Sequence, residues 1–217
     1  MNRRIFFPAM IIGVLGIFTL SCKEDKPLTS EKQEVTTTKE GDLMKVDTLE
    51  SKIEWKGYKV FKSENSSHYG DIKFQSGEVT VKDGILESGK FVADINSLEN
   101  VDLKEDAEQK AKLEGHLKSG DFFEVEKYPT ATYEITKVIP SDKGDYNTIL
   151  EGNLTIKDIT KPVKFNANVS VKDGQVTIAT EPTDIKREDF GVKFQIPIAN
   201  GVIKNDVNIQ VLIKAKA

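Results

Sequence analysis

The side chains best suited to acid–base or nucleophilic chemistry are two histidines, His68 and His116, and one cysteine, Cys22. His116 lies in the stretch GHLKSGDFFEVEKYPTATYEI, Gly115 to Ile135, beside Ser119, Asp121 and two adjacent phenylalanines. A histidine near a serine and a carboxylate could serve a hydrolase. That chemistry needs an activated nucleophile, however, and the chain has no G-x-S-x-G elbow; LKSGD does not set Ser119 on a strand-to-helix turn. Zinc would need three or four ligands at a recognisable spacing, and no cysteine stands near either histidine to complete such a set. Both histidines therefore read as polar groups at the rim of something, with contact to a ligand headgroup as the functional alternative. The carboxylates offer no clean acid–base pair. Asp121, Glu124 and Glu126 alternate as a solvated strand face would, and Arg187 with Asp189 in IKREDFGV suggests an ion pair closing one end of the fold.

Cys22 has a different context. MNRRIFFPAMIIGVLGIFTLSC carries Arg3 and Arg4, then an apolar run from Ile5 to Leu20, then Ser21. This is the order of an export signal over residues 1–21, and the run falls short of the ~20 residues that a membrane span requires. TLSC resembles a lipobox with Thr19 where leucine is usual, so Cys22 is expected to be lipidated and to anchor the chain to a membrane. The KEDK that follows resembles the signal sending some Bacteroidetes lipoproteins to the outer surface. Residues 22–45 are poor in large apolar side chains and rich in Glu, Lys, Thr and Ser, which predicts a flexible tether. The formal charge of the whole chain is −4. Its lysines form no basic run with interleaved aromatics, which argues against nucleic acid as a partner.

From residue 46 the hydrophobic period becomes two. Val163, Phe165, Ala167, Val169 and Val171 share one face, as do Val207, Ile209, Val211 and Ile213, and as do Gly89, Phe91, Ala93 and Ile95. Ile72 and Phe74 are followed by Val79 and Val81, with Ser76-Gly77 shifting the phase as a bulge would. Alternation of this kind predicts antiparallel strands with one buried face. Turns at Asp83-Gly84, Gly144-Asp145, Asp173-Gly174 and Asn200-Gly201 divide them, so residues 46–217 should form a closed barrel or a sandwich. Ser97 to Ser119, rich in helix formers, predicts one or two short crossover helices with Leu103, Ala107, Ala111 and, with some drift, Leu113 and Leu117 on the apolar face. Trp55, Phe74, Phe91, Phe122, Phe123, Tyr133, Phe165 and Phe190 lie on separate strands or strand ends. In a barrel they would converge on a packed core or on the wall of an apolar tunnel; of Phe122 and Phe123 only one could point inward in an extended segment.

SKIEWKGYKV, HYGDIKFQSGEVTVKDGILESGKFVADINSLEN, GHLKSGDFFEVEKYPTATYEI, LEGNLTIKDITKPVKF and REDFGV together resemble the YceI-like family of exported bacterial lipid- and polyisoprenoid-binding proteins. The resemblance covers residues 46–217. It implies a mainly β, lipocalin-like antiparallel barrel of about eight strands with a long hydrophobic channel. It also implies a ligand-binding role for the eight aromatics together with His68 and His116. The expected partner is a long-chain lipid, a polyisoprenoid, isoprenoid quinone or fatty-acyl species, bound without catalysis, resident cofactor or metal. A homodimer is among the assemblies allowed. The expected location is the cell envelope, on the periplasmic side or the outer surface of the outer membrane. Two rivals stand beside this reading: a structural or stress-related envelope protein with a filled barrel, and a hydrolase using His68 or His116. Tyr69 and Tyr133 depart from the family pattern, and the hydroxyl of Tyr133 would need a polar partner if buried.

Overall fold

The computed structural model describes residues 31–142, 144–197 and 199–217. The expected export signal, Cys22 and the first part of the tether lie outside the described residues. Ten strands form one antiparallel sheet: β1 (Asp42–Val46), β2 (Lys52–Phe61), β3 (Glu64–Lys82), β4 (Ile85–Asn100), β5 (Thr130–Pro140), β6 (Thr148–Ile156), β7 (Ile159–Lys172), β8 (Gln175–Thr180), β9 (Thr183–Lys186) and β10 (Gly201–Lys216). Strands β2 to β8 pair in sequence, and β10 closes the ring by pairing with both β2 and β8. Two places in the ring are shared. β1 fills the gap between β3 and β10 below the start of β2, and β9 continues above β8 along β10. Ten strands therefore occupy eight positions, and the sheet is a barrel and not a sandwich.

The alternating residues point where their period places them. Phe165, Ala167, Phe74, Val79, Phe91, Ala93, Ile95 and Ile213 are all buried. The phase shift expected at Ser76-Gly77 is a register break between Phe74 and Ser76, which returns Val79 and Val81 to the interior. Asp83-Gly84 and Asp173-Gly174 make two-residue hairpins with both residues at positive φ, the geometry whose twist matches the flanking strands. Lys62-Ser63 and Lys157-Asp158 adopt the same conformation without glycine.

The two ends of the barrel differ. At one end Met44 and Val46 of β1 join Val79, Val81, Leu86, Val176 and Ala215 in a continuous core that closes the interior. At the other end stand helix α1 (Ala107–Lys118), the loop carrying Phe122 and Phe123, and a turn of 3-10 helix at Arg187–Phe190. Beside that turn, β9 pairs only with β10 among the described residues, and Phe190 fills the space between it and Phe165 of β7.

Three expectations need correction. The helical stretch begins at Ala107 and not near Ser97, because β4 runs on to Asn100, paired with β3 across a register shift that leaves Ile95, Leu98 and Asn100 buried. Among the described residues this stretch forms one α-helix, capped by the Asp106 side chain accepting from Gln109 N–H at 3.0 Å. Of its expected apolar positions, Leu113 and Leu117 do face the barrel, while Ala107 and Ala111 are exposed. Asp121, Glu124 and Glu126 lie in successive turns, Glu124 at φ 51°, and not on a strand. The third correction concerns residues 31–45 of the expected tether, which form a strap on the outside of the barrel ending in β1. Glu31 N–H donates to Thr160 O at 2.7 Å, and Gln33 and Asn153 exchange two bonds of 2.8 and 2.9 Å. Further along, Thr36 donates twice to Thr136 O and Gly41 N–H donates to Glu87. A segment without a hydrophobic face can dock when its backbone groups find partners.

Asn153 is the central clasp, 3% exposed. Its replacement by alanine leaves two strap backbone groups without partners, a loss of about 1–3 kcal/mol. Limited proteolysis of the Asn153→Ala variant should cut within residues 31–40 well before the barrel melts, while the wild-type strap is protected.

Candidate functional site

Above the closed end, the barrel encloses an inner cavity of about 150 Å³. Phe74, Phe91, Tyr133, Phe165 and Phe190 line it together with Ile and Val side chains from β2, β3, β8 and β10. Phe74 and Phe91 meet at 6.2 Å between centroids, and Tyr133 meets Phe165 edge-on at 5.3 Å. The Tyr133 hydroxyl finds the partners it needs, donating toward Leu150 O at 3.1 Å and Val163 O at 3.2 Å. Burial, with a smaller contribution from Glu151, pushes its ionisation far above the ordinary tyrosine range, so it stays a neutral donor. Gly152 makes room for that ring, since a Cβ there would lie 2.3 Å from Tyr133 Cζ.

A second cavity of about 290 Å³ lies nearer the open end. Trp55, His68, His116, Phe122 and Phe123 line it, with Leu113 and Leu117 of α1 above. Ile72, Phe123, Arg187, Val192, Val207 and Ile209 border both cavities, so the two adjoin, the second nearer the open end. All ten side chains singled out in the sequence therefore line one or both of these adjoining cavities. Phe122 and Phe123 both contribute, because their segment is a turn and the two-sided alternation of an extended chain does not apply. Phe122 is buried against His116 and Phe194, while Phe123 reaches both cavities.

The histidines are held by carboxylates at the rim. His68 Nδ1 and Asp102 Oδ2 are 2.8 Å apart. Asp102 also accepts from Tyr69 N–H at 2.8 Å and from Asn100 Nδ2 at 2.5 Å. Burial works to raise the Asp102 pKa, yet the bonds from Tyr69, His68 and Asn100 outweigh it and hold the carboxyl below its usual range. His116 Nε2 lies 2.9 Å from Asp121 Oδ2, its ring edge-on to Phe122 and Phe194. Ser119 Oγ donates to His116 O at the end of α1, a capping role. Among the described residues, no group of three or more His, Cys, Asp or Glu side chains gathers as a metal site would require.

Arg187 departs from expectation. It does not close the barrel by pairing with Asp189. Its side chain runs inward, 6% exposed, and its guanidinium donates to the carbonyls of Val192 at 2.5 Å, Lys204 at 3.1 Å and Ile203 at 3.2 Å. Glu188 is 3.6 Å away. Burial disfavours the charge, and Glu188 partly offsets that. Tyr58, Lys59, Phe194 and Lys204 also line the mouth and were not singled out in the sequence. The alternation of Val192, Phe194 and Ile196 was the available signal for Phe194; the lysines look like ordinary surface cations until the barrel closes.

A family model described as the YceI-like domain matches residues 44–215. A UPF0312 protein of Shewanella baltica strain OS155 is 27% identical over 165 residues, covering 73% of this chain and 78% of its own. A UPF0312 protein of Vibrio parahaemolyticus is 30% identical over 120 residues, covering 55% of this chain and 56% of its own. Among solved structures, Burkholderia cenocepacia BcnA matches with a TM-score of 0.57 at 19% identity, over 79% of this chain and 99% of BcnA. A polyisoprenoid binding domain from Saccharophagus degradans, implicated in plant cell wall breakdown, matches with a TM-score of 0.52 at 13% identity, over 80% of this chain and 98% of that one. At these identities the two structures establish a shared fold.

Proposed function

Because this chain belongs to the YceI-like domain family, we propose that it binds and carries a long-chain lipid of polyisoprenoid, isoprenoid quinone or fatty-acyl type, making and breaking no covalent bond. The observation that carries this reading is the pair of adjoining cavities inside the barrel, the inner one walled mainly by Ile, Val, Leu and Phe and the outer one carrying the lysines and histidines. Each methylene moved from water into such a wall is worth ~0.8 kcal/mol, so about ten of them offset much of the cost of immobilising the ligand. The likeness to a polyisoprenoid binding domain supports a chain-like ligand. Lipidation at Cys22 would hold the protein at the cell envelope. The strap starts from the β6–β7 turn, on the mouth side, where Glu31 meets Thr160. An anchor ahead of it would thus keep the mouth near the membrane.

The chain has a single tryptophan, Trp55, and it lines the outer cavity. Its fluorescence therefore reports on channel occupancy. Titration of delipidated protein with a brominated long-chain lipid should quench that emission saturably, at one ligand per chain. Quenching that is absent, or that grows linearly without saturation, would contradict the proposal.

A further inference from the structure

We propose that the mouth cavity selects an anionic headgroup, so that the channel takes acidic amphiphiles, long chains ending in a carboxylate or phosphate, over their neutral counterparts. This rests on the lipid-carriage reading and narrows it. The polar side chains lining the mouth are Trp55, Tyr58, Lys59, His68, His116, Arg187 and Lys204. Among the described residues no carboxylate or carboxamide lines that cavity, although the protein as a whole is acidic. Three of the seven are permanent cations, and Trp55 is a donor only.

The carboxylates near the rim are already engaged. Asp102 is held by His68, Tyr69 N–H and Asn100; Asp121 is held by His116; Glu114 accepts from Asn100 N–H at 2.7 Å. The Lys204 ammonium rests over the Tyr58 ring, 5.6 Å from its centroid, on the exposed edge of the opening, and forms no ion pair with a carboxylate among the described residues. Arg187 is a buried cation satisfied by carbonyl dipoles and ion-paired with Glu188 at 3.6 Å, so the charges left for a ligand are those of the two lysines. A second observation points the same way. The Trp55 indole Nε1–H is buried and has no acceptor among the described residues, a state that buried donors rarely keep. A headgroup rich in acceptor oxygens supplies what this wall lacks. A hydroxyl or an ester would leave Lys59 and Lys204 without an opposite charge, and an ammonium headgroup would be repelled.

The test compares ligands that share a tail. Oleic acid against oleyl alcohol, and farnesyl phosphate against farnesol, would displace a fluorescent lipid from the full chain above neutral pH. The acidic member should bind roughly ten- to hundredfold more tightly in each pair, as expected for charge-assisted bonds at a partly wet mouth. A Lys59→Gln/Lys204→Gln variant should lose most of that preference, weakening the acids far more than the alcohols, and raised salt should shrink the preference in the wild type. Equal binding of acid and alcohol by the wild type, or a variant that weakens both alike, overturns anion selection and leaves lipid carriage standing. Failure of all four ligands overturns the carriage reading itself. Acetate and inorganic phosphate should not displace the probe at matched concentrations; displacement by either would make this a free-anion site and overturn the amphiphile proposal.

Discussion

Replacement of both Ala93 and Ala131 by leucine should abolish lipid uptake while leaving the barrel as stable as before or more so. The two alanines face each other across β4 and β5, and both line the inner cavity. They are buried, so the added isopropyl groups have no way out to solvent. They would take the room of about six chain carbons, and at ~0.8 kcal/mol per methylene the ligand would lose about 5 kcal/mol, between three and four orders of magnitude in affinity. Stability should hold because the leucines fill space already present in a cavity of about 150 Å³. Uptake measured by Trp55 quenching, beside a thermal melt, separates the two effects. A variant that melts normally and still binds lipid would show that the ligand does not use the inner cavity.

Arg187→Met should give the largest loss of stability. Methionine keeps much of the stem volume but removes the donors now serving the carbonyls of Val192, Ile203 and Lys204. Exchanging a buried charge for an apolar group can be neutral where its partners go as well. Here the three carbonyls remain, at about 1–3 kcal/mol for each buried group left unpaired. Since the bonds to Lys204 O and Ile203 O are only partly buried, about 3–5 kcal/mol is expected in total, or roughly a 10 °C fall in melting temperature for a chain of this size. The start of β10 should loosen first, visible as faster amide exchange between residues 201 and 206. An unchanged melting temperature would mean that the three carbonyls are satisfied without the guanidinium.

The parts of the fold legible in the sequence are those governed by a period. Val163 to Val171 and Val207 to Ile213 announce their faces because each strand is wet on one side only, and Asp83-Gly84 announces its hairpin because both residues tolerate positive φ. Lys157-Asp158 makes the same turn without that signature, so the β6–β7 connection could not be read. The strap was unreadable for another reason: Gln33 and Thr36 dock through hydrogen bonds to Asn153 and Thr136, and polar docking leaves no hydrophobic pattern. Most of the aromatic wall was legible, since Trp55, Phe74, Phe91, Tyr133 and Phe165 alternate inward on their strands; that Phe122 and Phe123 both contribute was not, because they sit in a turn. The cationic mouth was not, because Lys59, Arg187 and Lys204 come together only when β2, the 3-10 turn and the start of β10 meet around the opening.

Native mass spectrometry of the protein purified from its own host tests the central claim most directly. The account predicts a stoichiometric adduct whose mass, after release, is that of a long-chain lipid, and its absence from the Ala93→Leu/Ala131→Leu variant prepared in the same way. An apo mass for the wild type, together with no uptake of a hydrophobic dye, would contradict it and identify the barrel as a filled, structural one.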